Sequence, residues 1–298
     1  MLPQGKSALF VINRHSGMGN FFAVEDRIRK ICEKNHTECN IEHTQYRAHA
    51  VELARDAAAA GRDYVVAVGG DGTINEVAQG LTGTATAMGI LPRGSGNGLA
   101  RHYGIPAQLP DAIDSLFSNT VVRMDTLLFN NRLSLNVSGI GFDGHIANLF
   151  AGEKIRGLLG YARLTIAEML KFPEFDADVT IDGKTIITKA FIMAFANSSQ
   201  YGNNVRIAPH ASASDGVFDM TVIKKFSLKD IGFIHSFLKG KLEESELCDM
   251  LVGKEATVRT SHAVPFHIDG ESCGQADTFS IVLQPASLLV LVPDAGGV

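Results

Sequence analysis

The chain has 298 residues, 45% of them hydrophobic and 20% charged, which is core enough for two domains and excludes a disordered, collagenous or coiled protein. Its 27 Lys and Arg stand against 32 Asp and Glu; the net charge of -5 argues against a general nucleic-acid binder, whose affinity comes mostly from neutralising phosphates. The scattered Cys32, Cys39, Cys248 and Cys273 show no C-x-x-C spacing and read as reduced thiols of a cytoplasmic protein, not as a zinc site or disulfide framework. From the N-terminus, Ala8–Asn13 is an apolar strand that stops at a polar, Gly-containing loop. Its apolar core is shorter than the roughly 7–15 residues of a signal-peptide core. No later stretch approaches the roughly 18 apolar residues of a membrane-spanning helix.

Phe22–Lys34 reads as a helix, Cys39–Thr44 as a strand, and the Ala-rich His49–Ala60 as a helix closed by Gly61. Tyr64–Val68 is a β-branched strand that ends at Gly69-Gly70. Asn75–Gly80 starts a further helix, and Met88–Leu91 is a fourth strand ending in another glycine loop. Short buried strands alternating with helices predict a parallel α/β sheet. Past residue 124 strands follow one another: Arg132–Val137, Asp176–Ile181, Lys184–Ala196, Val217–Ile223, Ala256–Thr260, Val264–Ile268, Phe279–Leu283 and Leu288–Val292. Asp182-Gly183 is a hairpin signal between two of them. This part predicts an antiparallel β-sandwich, interrupted by helical stretches at His145–Lys171 and Leu228–Leu238. The boundary is expected near Arg123–Asp125, giving domains 1–124 and 125–298, with the final strand free to return to the first domain.

Three glycine-rich loops each follow a predicted strand of the first domain: Asn13-Arg14-His15-Ser16-Gly17-Met18-Gly19, Gly69-Gly70-Asp71-Gly72-Thr73, and Pro92-Arg93-Gly94-Ser95-Gly96-Asn97-Gly98. In an open parallel sheet ligands bind beyond the carboxyl ends of the strands, so the loops should gather on one edge. Glycine lets backbone N–H groups approach a phosphate, Ser16, Thr73 and Ser95 add hydroxyls, and helix starts add positive dipole ends. Together they predict a triphosphate cradle. Asp71 among the glycines repels phosphate unless a cation intervenes, or unless it bonds a ligand hydroxyl or neighbouring backbone; it reads as a residue acting around Mg²⁺ or the substrate hydroxyl.

Other phosphate and catalytic motifs are absent. Gly183-Lys184-Thr185 has the tail of a Walker A loop, but Asp178 stands at the first glycine position, and Gly5-Lys6-Ser7 begins too early. The protein-kinase signatures and a credible nucleophile elbow are missing. Gly139-Ile140-Gly141-Phe142-Asp143-Gly144 matches G-x-G-x-x-G, but it sits in the antiparallel part with no second parallel strand ending in an acid.

At these residues the sequence resembles the diacylglycerol kinase catalytic-domain superfamily, most closely its bacterial soluble lipid kinases. That family carries an N-P-x-S-G first loop, a G-G-D-G-T second loop and a P-x-G-[ST]-x-N third loop. Here the second is intact, the first has Arg14 in place of Pro, and the third has Ser95 for the commoner Thr. The resemblance continues through Asn136–Gly144, Asp215-Gly216-Val217-Phe218-Asp219 and Asp269-Gly270-Glu271, in order along nearly the whole chain.

The resemblance implies a nucleotide-binding α/β domain, a C-terminal β-sandwich, and ATP in the cleft between them. It carries the nucleotide contacts to Asn13, Ser16, Gly17, Thr44, Gly69, Gly70, Asp71, Gly72, Thr73, Ile74, Asn75, Gly94, Ser95 and Asn97. Glu271 matches the family's general base, with Asp71 as the alternative. Ser212, Asp215 and Val217 match a structural Mg²⁺ site, a hard-oxygen set suited to that ion. Read without the family, Asp215-Gly216 and Asp269-Gly270 are turn dipeptides.

The expected reaction is transfer of the ATP γ-phosphoryl to the hydroxyl of a diacylglycerol-like lipid. A sphingoid base, for which Gly94–Ala100 also speaks, and NAD are alternative acceptors, and a catalytically silent nucleotide-binding regulator is the non-enzyme reading. A lipid acceptor requires visits to the bilayer surface. The stretch His145–Lys171 mixes Ile146, Leu149, Phe150, Leu158, Leu159, Leu164, Ile166 and Leu170 with Lys154, Arg156, Arg163 and Lys171. It reads as a helix packed on the sandwich with a charged outer face, which is also the pattern of a helix lying on an anionic surface. No nucleic-acid partner is expected, and a homo-oligomer is left open.

Overall fold

The computed structural model describes residues 5–17, 21–116, 118–152, 158–199, 206–227, 229–230, 232–233, 235–236, 241–242 and 245–294. The chain forms two compact units, Met1–Asp125 with Pro285–Val298, and Thr126–Gln284.

The first unit contains β1 (Ser7–Ile12), α1 (Phe21–Lys34), β2 (Glu38–His43), α2 (His49–Ala59), β3 (Tyr64–Gly69), α3 (Asp71–Leu81), β4 (Ala87–Pro92), α4 (Gly98–His102), α5 (Leu109–Leu116) and the start of β5 (Asn119–Phe129). Its sheet runs β2-β1-β3-β4 with all strands parallel, and the last part of β14 (Glu271–Pro293) adds beside β4, pairing Val290 with Met88. Every residue of β3 and β4 is buried, which is why those strands are continuous apolar runs: a parallel sheet is covered on both faces. β2, at the edge, alternates exposed and half-buried residues. Helix α3 starts at Asp71, four residues before the predicted Asn75; Gly72 and Thr73 form its first turn.

Helices α2 and α3 pack closely because a glycine and alanines meet there. A Cβ on Gly80 would lie 2.6 Å from the carbonyl oxygen of Val51 and 2.7 Å from Cβ of Ala54. Gly80→Val is expected to lower unfolding free energy by about 1–3 kcal/mol through overpacking, read from the denaturant midpoint.

The second unit starts with the end of β5, which pairs with β6 (Arg132–Ser134) through an Asn130-Asn131 turn, both residues at positive φ. There follow β7 (Val137–Gly141), α6 (Phe142–Gly152), α7 (Leu158–Lys171), β8 (Phe175–Ile181), β9 (Lys184–Ala190), β10 (Ile192–Ala196), β11 (Phe218–Ile223), β12 (Cys248–Gly253), β13 (Glu255–Ile268) and most of β14. The order is β12-β11-β10-β7-β13-β14, antiparallel, with the β8–β9 hairpin on β13. Its sandwich core gathers Phe129, Phe195, Phe218, Phe266 and Phe279, with rings of Phe129 and Phe266 stacked at 5.9 Å.

The predicted strand Lys184–Ala196 is two strands. Phe191 breaks it, donating its N–H to Ile223 and accepting from the N–H of Phe142. The predicted pairs Ala256–Thr260 with Val264–Ile268, and Phe279–Leu283 with Leu288–Val292, each merge into one long strand with register shifts or a change of unit within it. The helical stretch His145–Lys171 is the pair α6 and α7, and Lys154 and Arg156 lie outside the described residues. So do residues 228, 231, 234, 237 and 238 of the predicted helix Leu228–Leu238, while 232, 233, 235 and 236 are helical. No helix among the described residues is long and apolar enough to cross a membrane.

Candidate phosphate-binding and catalytic site

In the first unit the parallel ladder runs one residue past the strands and aligns the loops on the carboxyl edge. Asn13 donates its N–H to Val68 O (3.1 Å), Thr44 to Ile12 O (3.0 Å) and Arg93 to Gly69 O (2.7 Å). This places Asn13, Thr44, Gly69 and the third loop side by side, as the strand-to-loop reading expects.

Glycine is required where the loops touch. A Cβ on Gly17, at φ +68°, would lie 2.7 Å from Arg93 O, so the first and third loops meet there. A Cβ on Gly94 would lie 2.8 Å from Cα of Gly70, so the second and third loops meet backbone to backbone. The side chain of Asn13 joins the first loop to the second by donating to the Thr73 hydroxyl (3.0 Å). The backbone carbonyl of Asn13 accepts from the Ser16 hydroxyl (2.7 Å), closing the first loop into a tight turn. Met18 and Gly19 lie outside the described residues.

Asp71 takes the third option its setting allows, a bond to neighbouring backbone. One carboxylate oxygen accepts the N–H of Asn97 and the other that of Gly98, both at 2.9 Å. A Cβ on Gly96 would come within 2.9 Å of that carboxylate. Asn97 stands at φ 50° and clasps Gly94 twice, accepting its N–H and donating to its carbonyl, both at 2.8 Å. The third loop is thus folded on itself by Asn97 and fastened to α3 by Asp71. Ser95 stands exposed at its tip, Ile74 is buried and offers only backbone, and Asn75 accepts from Gln79 (2.7 Å) on the outer face of α3.

Two cations absent from the sequence-based site belong to this edge. Arg14, half exposed, reaches His43 Nε2 at 2.9 Å and Glu25 at 3.5 Å. Arg93 lies 4.1 Å over the Phe21 ring, and burial lowers its pKa from the usual arginine value. Their signal in the sequence was position alone: each follows a strand end inside a glycine loop.

In the second unit Glu271 is exposed and opens β14 directly after the Asp269-Gly270 turn, whose residues have φ 49° and 83°. The turn is more than a dipeptide. The Asp269 carboxylate accepts from the Ser134 hydroxyl (2.9 Å) and the N–H groups of Leu135 (2.8 Å) and Asn136 (2.9 Å).

Ser212, Asp215 and Val217 lie on one short segment, where the Asp215 carboxylate accepts the Val217 N–H at 3.2 Å. Asp219 stands close by: its pKa is pushed up to about 6, first by burial and then by the charge of Asp215, with His210 opposing. Hydroxyl, carboxylate and carbonyl oxygens on one turn are the donors a hard cation takes, so the residues fit Mg²⁺ by chemistry. Among the described residues no cluster of three or more His, Cys, Asp or Glu side chains forms a metal site.

Residues 7–129 match the diacylglycerol kinase catalytic domain family, and residues 136–292 match the YegS C-terminal NAD kinase β sandwich-like domain. The chain is 29% identical over 261 residues to a Chromohalobacter salexigens protein named "Probable lipid kinase YegS-like", covering 82% of this chain and 80% of that one. It is 25% identical over 278 residues to the diacylglycerol kinase of Bacillus subtilis, covering 90% and 91%. The crystal structure of a diacylglycerol kinase from Bacillus anthracis superposes with a TM-score of 0.75 over 97% of both chains at 20% identity, a likeness of fold.

Proposed function

The chain belongs to the diacylglycerol kinase catalytic-domain superfamily, in its bacterial lipid kinase branch, and from that premise we propose that it transfers the γ-phosphoryl group of ATP to the hydroxyl of a diacylglycerol-like lipid. The observation that carries this reading is the fastening of three glycine loops on one sheet edge, with Cβ positions closed off between them. Such loops hold phosphates by backbone N–H groups, and phosphoryl transfer is mostly positioning and charge neutralisation.

In the proposed reaction the lipid hydroxyl oxygen bonds to the γ-phosphorus while the bond from that phosphorus to the bridging oxygen breaks, and ADP leaves. Glu271 accepts the hydroxyl proton. Asp71, with both oxygens committed to backbone N–H groups, serves as a positioning residue, which favours Glu271 as the base. Mg²⁺, when bound, would offset phosphate charge, and Ser212, Asp215 and Val217 would hold a structural Mg²⁺ through hard oxygen ligands. Arg14 turns from His43 and Glu25 to the phosphates. Arg14→Met is expected to weaken ATP binding about tenfold, the worth of one charge-assisted contact, and leave adenosine binding unchanged; calorimetric titration of both ligands checks it.

A lipid acceptor brings the protein to the bilayer. Ile166 and Leu170, 45% and 59% exposed and one helical turn apart on α7 beside Lys171, support contact at its surface.

The test is ADP release with Mg-ATP and, separately, diacylglycerol or a sphingoid base in mixed micelles, or NAD in solution. Stimulation by diacylglycerol bears the proposal out. Stimulation by the sphingoid base replaces the lipid. Stimulation by NAD alone, the acceptor suggested by the name of the second domain's family, overturns the lipid reading.

A further inference from the structure

The motif Gly139-Ile140-Gly141-Phe142-Asp143-Gly144 binds no nucleotide in the reading above, yet each of its glycines is sterically required. We propose that it builds, together with His267, a buried Asp–His pair whose task is to hold the backbone that presents Glu271, so that Asp143 and His267 are positioning residues for phosphoryl transfer. The inference rests on Glu271 being the base.

Gly139 of β7 lies opposite His267 of β13. A Cβ there would fall 1.8 Å from the Asp143 carboxylate and 3.0 Å from His267 Nε2, so the space belongs to the pair. Gly141, at φ +99°, turns the chain from β7 into α6, where a Cβ would strike Phe175 and the Phe191 carbonyl. A Cβ on Gly144 would lie 2.5 Å from Cα of Phe266, which sets the first turn of α6 directly on β13 and delivers Asp143 to His267.

His267 is 1% exposed. Its Nδ1 accepts the N–H of Gly270 at 3.1 Å, and Nε2 lies 3.2 Å from the Asp143 carboxylate. A neutral imidazole has one donor and one acceptor, so acceptance at Nδ1 puts the proton on Nε2, facing Asp143. Asp143 in turn accepts the N–H of Gly144 at 2.8 Å. The chain of bonds runs from α6 through His267 to the amide immediately before Glu271. On the other side of Glu271, the Ser272 hydroxyl bonds Asn148, also on α6, and Asn148 donates to the Gly274 carbonyl. Helix α6 therefore holds both flanks of Glu271.

An Asp-Gly type I′ turn closes a hairpin by itself, and this one is already pinned through Asp269. A buried polar pair costs desolvation that the turn does not need. Precise placement of an exposed carboxylate is what it adds, and displacement of a catalytic group by about 1 Å costs roughly 10²-fold in rate.

The test uses the full chain and two substitutions that part the two bonds. His267→Gln keeps a donor for Asp143 and loses the acceptor for Gly270; His267→Asn keeps that acceptor and loses reach to Asp143. His267→Gln is expected to lower kcat about 10²-fold with KM for ATP within about twofold, and to speed amide hydrogen exchange at residues 270–272 more than about tenfold. His267→Asn, which keeps the Gly270 bond and loses the Asp143 bond, should fall between wild type and His267→Gln, with kcat lowered up to about tenfold and exchange at 270–272 faster than in wild type but slower than in His267→Gln. In a Glu271→Gln background His267→Gln should add less than about threefold, because residues acting as a unit are not additive. Unchanged exchange at 270–272, or a full multiplicative loss in that background, overturns the proposal. If His267→Gln does not fold, Asp143→Asn replaces it: faster exchange at those amides supports the pair, and wild-type exchange overturns it. If the wild type phosphorylates no lipid, the function reading fails while the exchange comparison still decides whether the pair holds the turn.

Discussion

Asp71→Asn is expected to lower kcat/KM for ATP by about 10²–10³-fold while also raising the dissociation constant for ATP. The reason is local. The Asp71 carboxylate accepts two N–H groups from the third glycine loop, at Asn97 and Gly98. An asparagine offers one acceptor and sets its own NH₂ against the other backbone N–H. A buried donor left without acceptor costs about 1–3 kcal/mol, and the loop has a cheaper choice, which is to lift away from α3. Lifting moves the Gly94–Asn97 backbone away from Gly70, the contact that the absence of a Cβ on Gly94 permits. The phosphates then lose N–H donors in the ground state and transition state alike, so binding and turnover fall together. Titration calorimetry with ATP beside steady-state kinetics separates this from a base, whose loss spares binding. Unchanged ATP affinity with collapsed turnover would return Asp71 to the chemistry.

Which parts of this site were legible in the sequence follows from how far apart the partners lie. The β3 and β4 runs and the glycine loops after them were readable because burial on both faces and phosphate-sized turns leave local signatures. The start of α3 was not: Gly72 is a poor helix former, and the helix begins at Asp71 because Gly70 caps it and an acid suits the positive end. The fastening role of Asp71 has no local signature at all, since its partners stand 26 and 27 residues downstream. The same holds for His267, which reaches Asp143 across 124 residues. Phe191 hid a strand break because it is as apolar as its neighbours, and only the change of hydrogen-bond partners marks it. The four-residue spacing from Asp215 to Asp219 was visible, but their electrostatic coupling needed the turn between them. Arg14 stands where the family has proline, but its position just after β1 is the more informative fact.

Glu271→Gln should part from Asp71→Asn in kind. The substitution keeps the shape of the side chain and removes its capacity to take a proton. Glu271 is exposed, and the turn before it is held by the Asp269 carboxylate and by His267 Nδ1. The fold should therefore be indifferent to the change, with thermal unfolding within a degree or two of wild type, as surface substitutions usually are. ATP affinity should hold within about twofold, because the cradle lies in other residues. Turnover with lipid should fall about 10²–10⁴-fold, the range a general base contributes. Slow ADP release to water, which depends less on deprotonating a lipid hydroxyl, should fall less than transfer to lipid, so the ratio of hydrolysis to transfer rises. Measuring both products from one labelled ATP gives that ratio directly. Wild-type transfer in Glu271→Gln would remove the base from β14, and with it the reason for α6 to hold both sides of the turn.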